Sequence, residues 1–219
     1  MSEHGTAQEG AASSGRETHY AQRAAMVLRR AKMVCQSGEY LCLIRDVSEK
    51  GIGLGFLHDV PPEPRTLLQL ANDLTFPIER MWTGQRQAGY RFASSISLDD
   101  FLTDNSPRKV RPIRLNIPGI VRLRDGRKRA DGRLIDISCE GAKIATPAEL
   151  RSGALMSFEL DGLPPQLAQV RWSKKGRYGL KFQQPVETEE MALCAMHLQP
   201  FTAGRSGGFS KLLAKARAA

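Results

Sequence analysis

The segment RDVSEKGIGL at residues 45–54 recurs ninety residues later as IDISCEGAKI at residues 135–144. Each segment carries an Asp, a Ser and a Gly at the same spacing, and apolar, β-prone residues follow the glycine. Trp82 and the string GYRF at residues 89–92 recur at the same offset as Trp172 and GLKF. Because several markers share one offset, we read the chain as two copies of one domain.

The repeat divides the chain of 219 residues into four parts. We predict a disordered tail at residues 1–19, a first domain at 20–104, a second domain at 105–199 and a flexible basic tail at 200–219. The connection between the two domains is short, so we expect the domains to touch.

The pattern inside each copy predicts strands. Short β-prone runs, such as residues 40–47 and 133–137, alternate with turns that contain glycine. Six or so such strands suit a small closed barrel, which has no exposed sheet edge. The predicted fold class is therefore all-β, with two tandem six-stranded antiparallel barrels, each followed by a short helix that lies against its own barrel. We expect Trp82 and Trp172 to fill the barrel cores.

Charge is concentrated in one segment of the chain. The formal net charge is +9, and residues 108–133 hold ten basic residues against two acidic ones. Such a surface attracts anions, among them a nucleotide, a nucleic acid or an acidic protein. Aromatic residues are few, at 6%, and none lies within the basic segment to stack on bases, so specific nucleic-acid binding is the weaker interpretation.

The cysteines and histidines exclude several function classes. Four cysteines lack CxxC spacing and histidine companions, so we expect free thiols, a cytoplasmic location and no metal site. The longest apolar runs are too short to span a membrane. The four histidines are scattered and no nucleophile motif is present, so we do not expect an enzyme or a cofactor.

The string DISCEG at residues 136–141, with its partner DVSEKG at 46–51, resembles the second motif of the PilZ domain. The later Trp and Gly-x-x-Phe regions also match that family. The resemblance covers nearly all of residues 20–199 and implies a receptor for the bacterial second messenger cyclic-di-GMP. An arginine can bind guanine O6 and N7 with two hydrogen bonds, and an aspartate can accept hydrogen bonds from guanine nitrogens.

The resemblance assigns one stronger and one weaker binding site. In the second copy the implied ligand-binding residues are Arg108, Lys109, Arg111, Arg114, Asp136, Ser138 and Gly141. In the first copy the weaker set is Arg23, Arg29, Arg30, Asp46, Ser48 and Gly51. The family has two arginines separated by three residues before the first strand, and neither copy carries this pair.

The motif also has a structural interpretation, and the chain has an alternative function. Asp and Ser beside a Gly can stabilise a turn through side-chain hydrogen bonds, with the glycine at positive φ, and for the first copy we favour this role. In the main hypothesis, cyclic-di-GMP orders the connection between the barrels and alters the surface shown to an unidentified protein partner. In the alternative, a degenerate pair of barrels binds no nucleotide and serves as a protein adaptor.

Overall fold

The computed structural model describes residues 29–102, 112–126 and 128–201. The predicted tail at residues 1–19, and all but the first two residues of the predicted tail at 200–219, lie outside these ranges. No helix within them is long and apolar enough to cross a membrane.

Six antiparallel strands close the first barrel. They are β1 (Arg29–Val34), β2 (Glu39–Val47), β3 (Gly51–Gly55), β4 (Arg65–Gln69), β5 (Thr75–Gly84) and β6 (Gln87–Phe92). Around the barrel their order is β1, β2, β3, β6, β5, β4, and β4 pairs with β1 to complete the ring.

The second barrel repeats this topology. Its strands are β7 (Ile120–Asp125), β8 (Lys128–Ser138), β9 (Gly141–Ala145), β10 (Leu155–Leu160), β11 (Gln166–Lys174) and β12 (Arg177–Phe182). They follow the order β7, β8, β9, β12, β11, β10, and β10 pairs with β7. The all-β fold with two six-stranded barrels, predicted from the repeat, is confirmed.

Alternating side chains build the barrel walls. In β7, Val121 and Leu123 are buried inside the barrel, whereas Arg122 and Arg124 are exposed. This period of two is the signature of a strand with one face on a core. Each barrel therefore has its own apolar centre, with Tyr40 fully buried in the first and Phe158 in the second.

A bulge precedes the motif turn in both copies. The register shifts between Ile44 and Asp46 where β2 pairs with β3, and between Leu134 and Asp136 where β8 pairs with β9. A bulge adds one unpaired residue and redirects the side chains beside it. The motif aspartate therefore follows a bulge in each barrel.

A short helix follows each barrel: α1 (Leu98–Leu102) after the first and α2 (Thr188–Leu198) after the second. The apolar face of α2 is fully buried through Met191, Ala192 and Cys194, which join the core of the second barrel. Leu41 of β2 belongs to the same cluster. The prediction that α2 lies on its own barrel is thus only part of its role, because it also packs against β2 of the first barrel.

The end of α2 joins the two barrels through hydrogen bonds. The Gln199 side chain accepts from the backbone N–H of Glu39 at 3.2 Å and donates to its carbonyl oxygen at 3.1 Å. The Tyr40 hydroxyl donates to the backbone oxygen of Gln199 at 2.8 Å. The barrels touch, as the short connection predicts.

Candidate functional site

The motif serine of the second barrel holds the turn between β8 and β9. Ser138 is buried, and its hydroxyl donates to the carbonyl oxygen of Gly141 at 3.2 Å and accepts from the N–H of Glu140 at 3.4 Å. Ser48 of the first barrel makes the equivalent bond to the carbonyl oxygen of Gly51, also at 3.2 Å. Both serines thus have the turn-stabilising role expected from side-chain to backbone bonding.

The motif glycines are required because a side chain at either position would crowd the backbone of the neighbouring strand. The predicted positive φ is wrong, because neither Gly51 nor Gly141 is among the positive-φ glycines of the described residues. A Cβ added at Gly141 would instead overlap the backbone oxygen of Leu180 on β12. At Gly51 the equivalent Cβ would lie 3.0 Å from the oxygen of Tyr90. The glycine allows close approach of the neighbouring strand.

Asp136 connects the motif to the segment before the barrel. Its side chain is only 12% exposed, and one carboxylate oxygen accepts a hydrogen bond from the Arg114 guanidinium at 2.7 Å. The other oxygen lies 3.9 Å from the Lys143 ammonium. Because the Arg114 side chain is 55% exposed, part of its guanidinium faces solvent while Asp136 fixes its direction.

These groups line an open pocket of about 400 Å³ on the outside of the second barrel. Four cationic side chains surround it, from Arg114, Lys143, Arg171 and Lys181. Two acidic residues, Asp136 and Glu140, offset part of that charge. The remaining lining residues are Pro112, Ser138, Gly141, Ala142, Trp172, Gly179 and Leu180. The pocket combines anion-binding groups, a fixed carboxylate and an aromatic surface.

Trp172 lies on the outer surface, so the prediction that it fills the core is wrong. Its side chain is 43% exposed, and Trp82 of the first barrel is 49% exposed. The indole covers Gly179, where an added Cβ would overlap the ring, and Trp82 covers Gly89 in the same way. The spacing of Trp and Gly therefore creates a flat aromatic platform on a glycine of the neighbouring strand.

Cys139, in the motif turn, is not an activated nucleophile. Burial raises the pKa of its thiol, although Arg30 beside it acts in the opposite direction. The thiol therefore stays protonated at neutral pH. Cys35, Cys42, Cys139 and Cys194 are all free, as predicted.

Residues 105–198 match the sequence profile of the PilZ domain. The second barrel is a PilZ domain. The resemblance carried by DISCEG is thereby confirmed for this half of the chain, and the strand order of the PilZ domain recurs in the first barrel. No curated protein sequence matches the chain.

Several solved structures are similar to the chain. The Borreliella burgdorferi PlzA protein in complex with c-di-GMP is 12% identical, covers 77% of this chain and 86% of its own, and has a TM-score of 0.32. YcgR in complex with c-di-GMP from Escherichia coli is 14% identical, covers 87% of this chain and 86% of its own, and has a TM-score of 0.32. The PilZ domain of CeSA from a cellulose-synthesizing bacterium is 19% identical, covers 39% of this chain and 94% of its own, and has a TM-score of 0.31. At such scores these likenesses say nothing about a ligand of this chain.

The first barrel keeps the turn, but apolar residues stand at two of the positions where the second barrel has pocket cations. Gly53 stands at the place of Lys143 and Met81 at the place of Arg171, by the offset of ninety. Arg91, the counterpart of Lys181, is paired with Glu79 at 2.9 Å. Within the described residues, the carboxylate of Asp46 has no hydrogen bond or ion pair like that between Asp136 and Arg114.

Two of the three arginines predicted for the first site, Arg29 and Arg30, make their hydrogen bonds away from its motif turn. Arg30 donates to the Thr188 hydroxyl at 3.2 Å and lies 3.9 Å from the Cys139 sulfur, so it contacts the PilZ domain. Arg29 donates to the backbone oxygen of Phe101 at 3.4 Å. Arg23 is outside the described residues.

For the second site, the structure brings Arg114 to the motif turn. The other predicted cations before the barrel, Arg108, Lys109 and Arg111, lie outside the described residues. Sequence reasoning missed Lys143, Arg171 and Lys181 as pocket residues. The sequence offers a signal for two of them. Lys143 lies two residues after Gly141, and Lys181 lies two residues after Gly179. Because residues two apart in a strand share a face, each lysine is on the same face as a glycine of the repeated motifs.

Proposed function

We propose that this chain binds cyclic-di-GMP in the pocket of its PilZ domain and acts as a signalling effector. The observation that carries the proposal is the 2.7 Å contact between Arg114 and Asp136. It unites a cation of the inter-barrel segment with the acid of the motif turn in a single pocket. The alternative, a nucleotide-independent adaptor, has no need for such a pocket.

The chemistry of the pocket suits a guanine dinucleotide. The exposed part of the Arg114 guanidinium can donate two parallel hydrogen bonds to guanine O6 and N7, or bind a phosphate. The Asp136 carboxylate accepts hydrogen bonds from the guanine N–H groups. Lys143, Arg171 and Lys181 supply positive charge for the phosphates, and Trp172 supplies a face on which a base can stack.

The predicted cations Arg108, Lys109 and Arg111 precede Arg114 on the same segment. We propose that they complete the site around the phosphates when ligand is present. Ser138 and Gly141 contribute by holding the turn and by allowing β12 to approach. In the first barrel we propose that Asp46, Ser48 and Gly51 are structural, because Gly53 and Met81 replace two of the pocket cations and Arg91 is paired with Glu79.

Ligand on Arg114 would act on both barrels, since the arginine lies on the segment between them. An ordered segment would favour one arrangement of the barrels and so change the surface available to a protein partner. We propose this change of surface as the signal to the partner, and we also propose that the protein acts in the cytoplasm.

Isothermal titration calorimetry of the full chain with cyclic-di-GMP tests the proposal. We expect one dinucleotide per chain, and weaker binding by Arg111→Ala and Arg114→Ala. Arg151→Ala is a matched control, because this arginine lies on the second barrel outside the pocket lining. Absence of heat at high micromolar ligand would overturn the proposal and support the adaptor. Tight binding of DNA that falls steeply with salt would instead indicate a nucleic-acid protein.

A further inference from the structure

A buried ion pair in the first barrel faces the PilZ domain. Lys32 of β1 and Glu39 of β2 are joined at 2.8 Å, and their side chains are 7% and 10% exposed. Lysine and glutamate are rarely buried unless they are paired and their remaining hydrogen-bonding capacity is used. The question is therefore what the pair binds besides itself.

The remaining hydrogen bonds of the pair go to residues 114–116. The Lys32 ammonium donates to the backbone oxygen of Arg114 at 2.8 Å. The Glu39 carboxylate accepts from the backbone N–H and from the side-chain amide of Asn116, both at 2.8 Å. Three charge-assisted hydrogen bonds thus hold one short segment of the second half of the chain against the first barrel.

The opposite side of the same segment is bound to the motif strand. Leu115 is fully buried and exchanges two backbone hydrogen bonds with Ile137, at 2.8 and 3.0 Å. Ile137 directly follows Asp136 in β8. The backbone that carries Arg114 is therefore fixed from both sides, by the first barrel and by the strand of the motif.

We infer that Lys32 and Glu39 are positioning residues for the nucleotide pocket of the PilZ domain and act through Arg114. The inference rests on the function proposed above. Among the described residues, the hydrogen bonds of the two side chains reach the pocket lining only at the Arg114 backbone, so we expect their effect on binding to depend on that arginine. By linkage, a ligand on Arg114 also stabilises the contact between the segment and the first barrel.

A double-mutant cycle tests this role. The variant Lys32→Met with Glu39→Leu removes both charges together, so neither is left buried without its partner. We expect this variant to weaken cyclic-di-GMP binding about tenfold, within the range for coupled neighbouring residues. In an Arg114→Ala background the same change should weaken binding less than about twofold, because the positioned side chain is gone.

The control is an exposed ion pair on the same barrel that makes no hydrogen bond to residues 114–116 within the described part of the chain. Arg65 and Glu79 form an exposed ion pair at 3.1 Å, and Arg65→Met with Glu79→Leu should leave the Kd unchanged. If the Lys32 and Glu39 variant fails to fold by circular dichroism, Asn116→Asp replaces it. This change sets a carboxylate against Glu39 and should weaken binding with the same dependence on Arg114.

The outcomes separate the two proposals. If the wild-type chain binds cyclic-di-GMP and the folded variant binds equally well, the positioning role is overturned while the proposed function stands. Equal losses in the wild-type and Arg114→Ala backgrounds would also overturn it, since they would indicate general destabilisation. If the wild-type chain does not bind, both proposals fall.

Discussion

The two barrels share a strand order, a motif turn and a Trp platform, but among the described residues the motif aspartate is ion-paired in the second barrel and not in the first. Asp136 is bonded to Arg114 and lies near Lys143, whereas Asp46 faces Gly53. The shared features are the ones that the fold needs, since Ser48 and Ser138 both hold turns. Among the features that differ, Lys143 and Arg171 line the pocket, whereas Gly53 and Met81 stand at their places in the first barrel.

The sharpest difference is expected for the motif aspartates. Asp136→Ala should weaken cyclic-di-GMP binding about 100-fold, because it removes a charged acceptor and the group that directs Arg114. Asp46→Ala, the matched change in the first barrel, should leave the Kd unchanged. Calorimetry on both variants decides the point, and equal effects would mean that the two turns share one role.

The motif glycines should differ in their effect on stability. Gly141→Ala forces a Cβ onto the Leu180 carbonyl and should cost about 1–3 kcal/mol of unfolding free energy. Gly51→Ala, with 3.0 Å to the Tyr90 oxygen, should cost less than about 1 kcal/mol. Denaturant unfolding measures both. If Gly51→Ala lowered the unfolding free energy more than Gly141→Ala, the backbone around Gly141 would have to shift easily to accept the added Cβ.

The two tryptophans separate a structural platform from a binding one. Trp172→Ala should weaken cyclic-di-GMP binding about tenfold, the loss expected for one stacked base, whereas Trp82→Ala should not. The chain has two tryptophans, so Trp82→Phe leaves Trp172 as a single fluorescent reporter. Unchanged emission of that reporter at saturating ligand would argue against stacking.

The smallest effect on cyclic-di-GMP binding is expected at Glu140, whose position in the first copy is occupied by a lysine. Glu140 lines the pocket, and Lys50 stands at its place in the first barrel. Glu140→Lys should tighten cyclic-di-GMP binding about threefold, since it replaces a negative charge with a positive one at an exposed site. The gain should shrink as salt is raised. Weaker binding would mean that Glu140 itself contacts the ligand.

Much of the fold could be predicted from the sequence, because the repeat and the period of two are local signals. Asp136, Ser138 and Gly141 could be found because they stand together in one string. Arg171 and Trp172 could not be placed, since a bulge between Val170 and Trp172 sets their direction. The prediction that the tryptophans fill the core is wrong because their residue type alone suggests burial. Their actual position on the outer surface depends on the glycine of the neighbouring strand that each indole covers.

That the barrels touch could be predicted, but the residues that form the contact could not. Nothing local in the sequence links Lys32 and Glu39 to Asn116, because these residues are far apart in the chain and meet only after both barrels have formed. A buried lysine and glutamate also look in sequence like ordinary surface residues of a strand. Side chains that bind across an interface leave no periodic pattern.

The bond between Glu39 and Gln199 has a consequence for biosynthesis. The two residues are 160 positions apart, so the ribosome releases the second partner long after the first. Each barrel closes through contacts within its own half, whereas the part of the inter-barrel contact that Gln199 makes must wait for α2. We therefore expect a nascent chain that ends before α2 to join its two halves first through the bonds of Lys32 and Glu39 to residues 114–116, and to gain the bonds of Gln199 later.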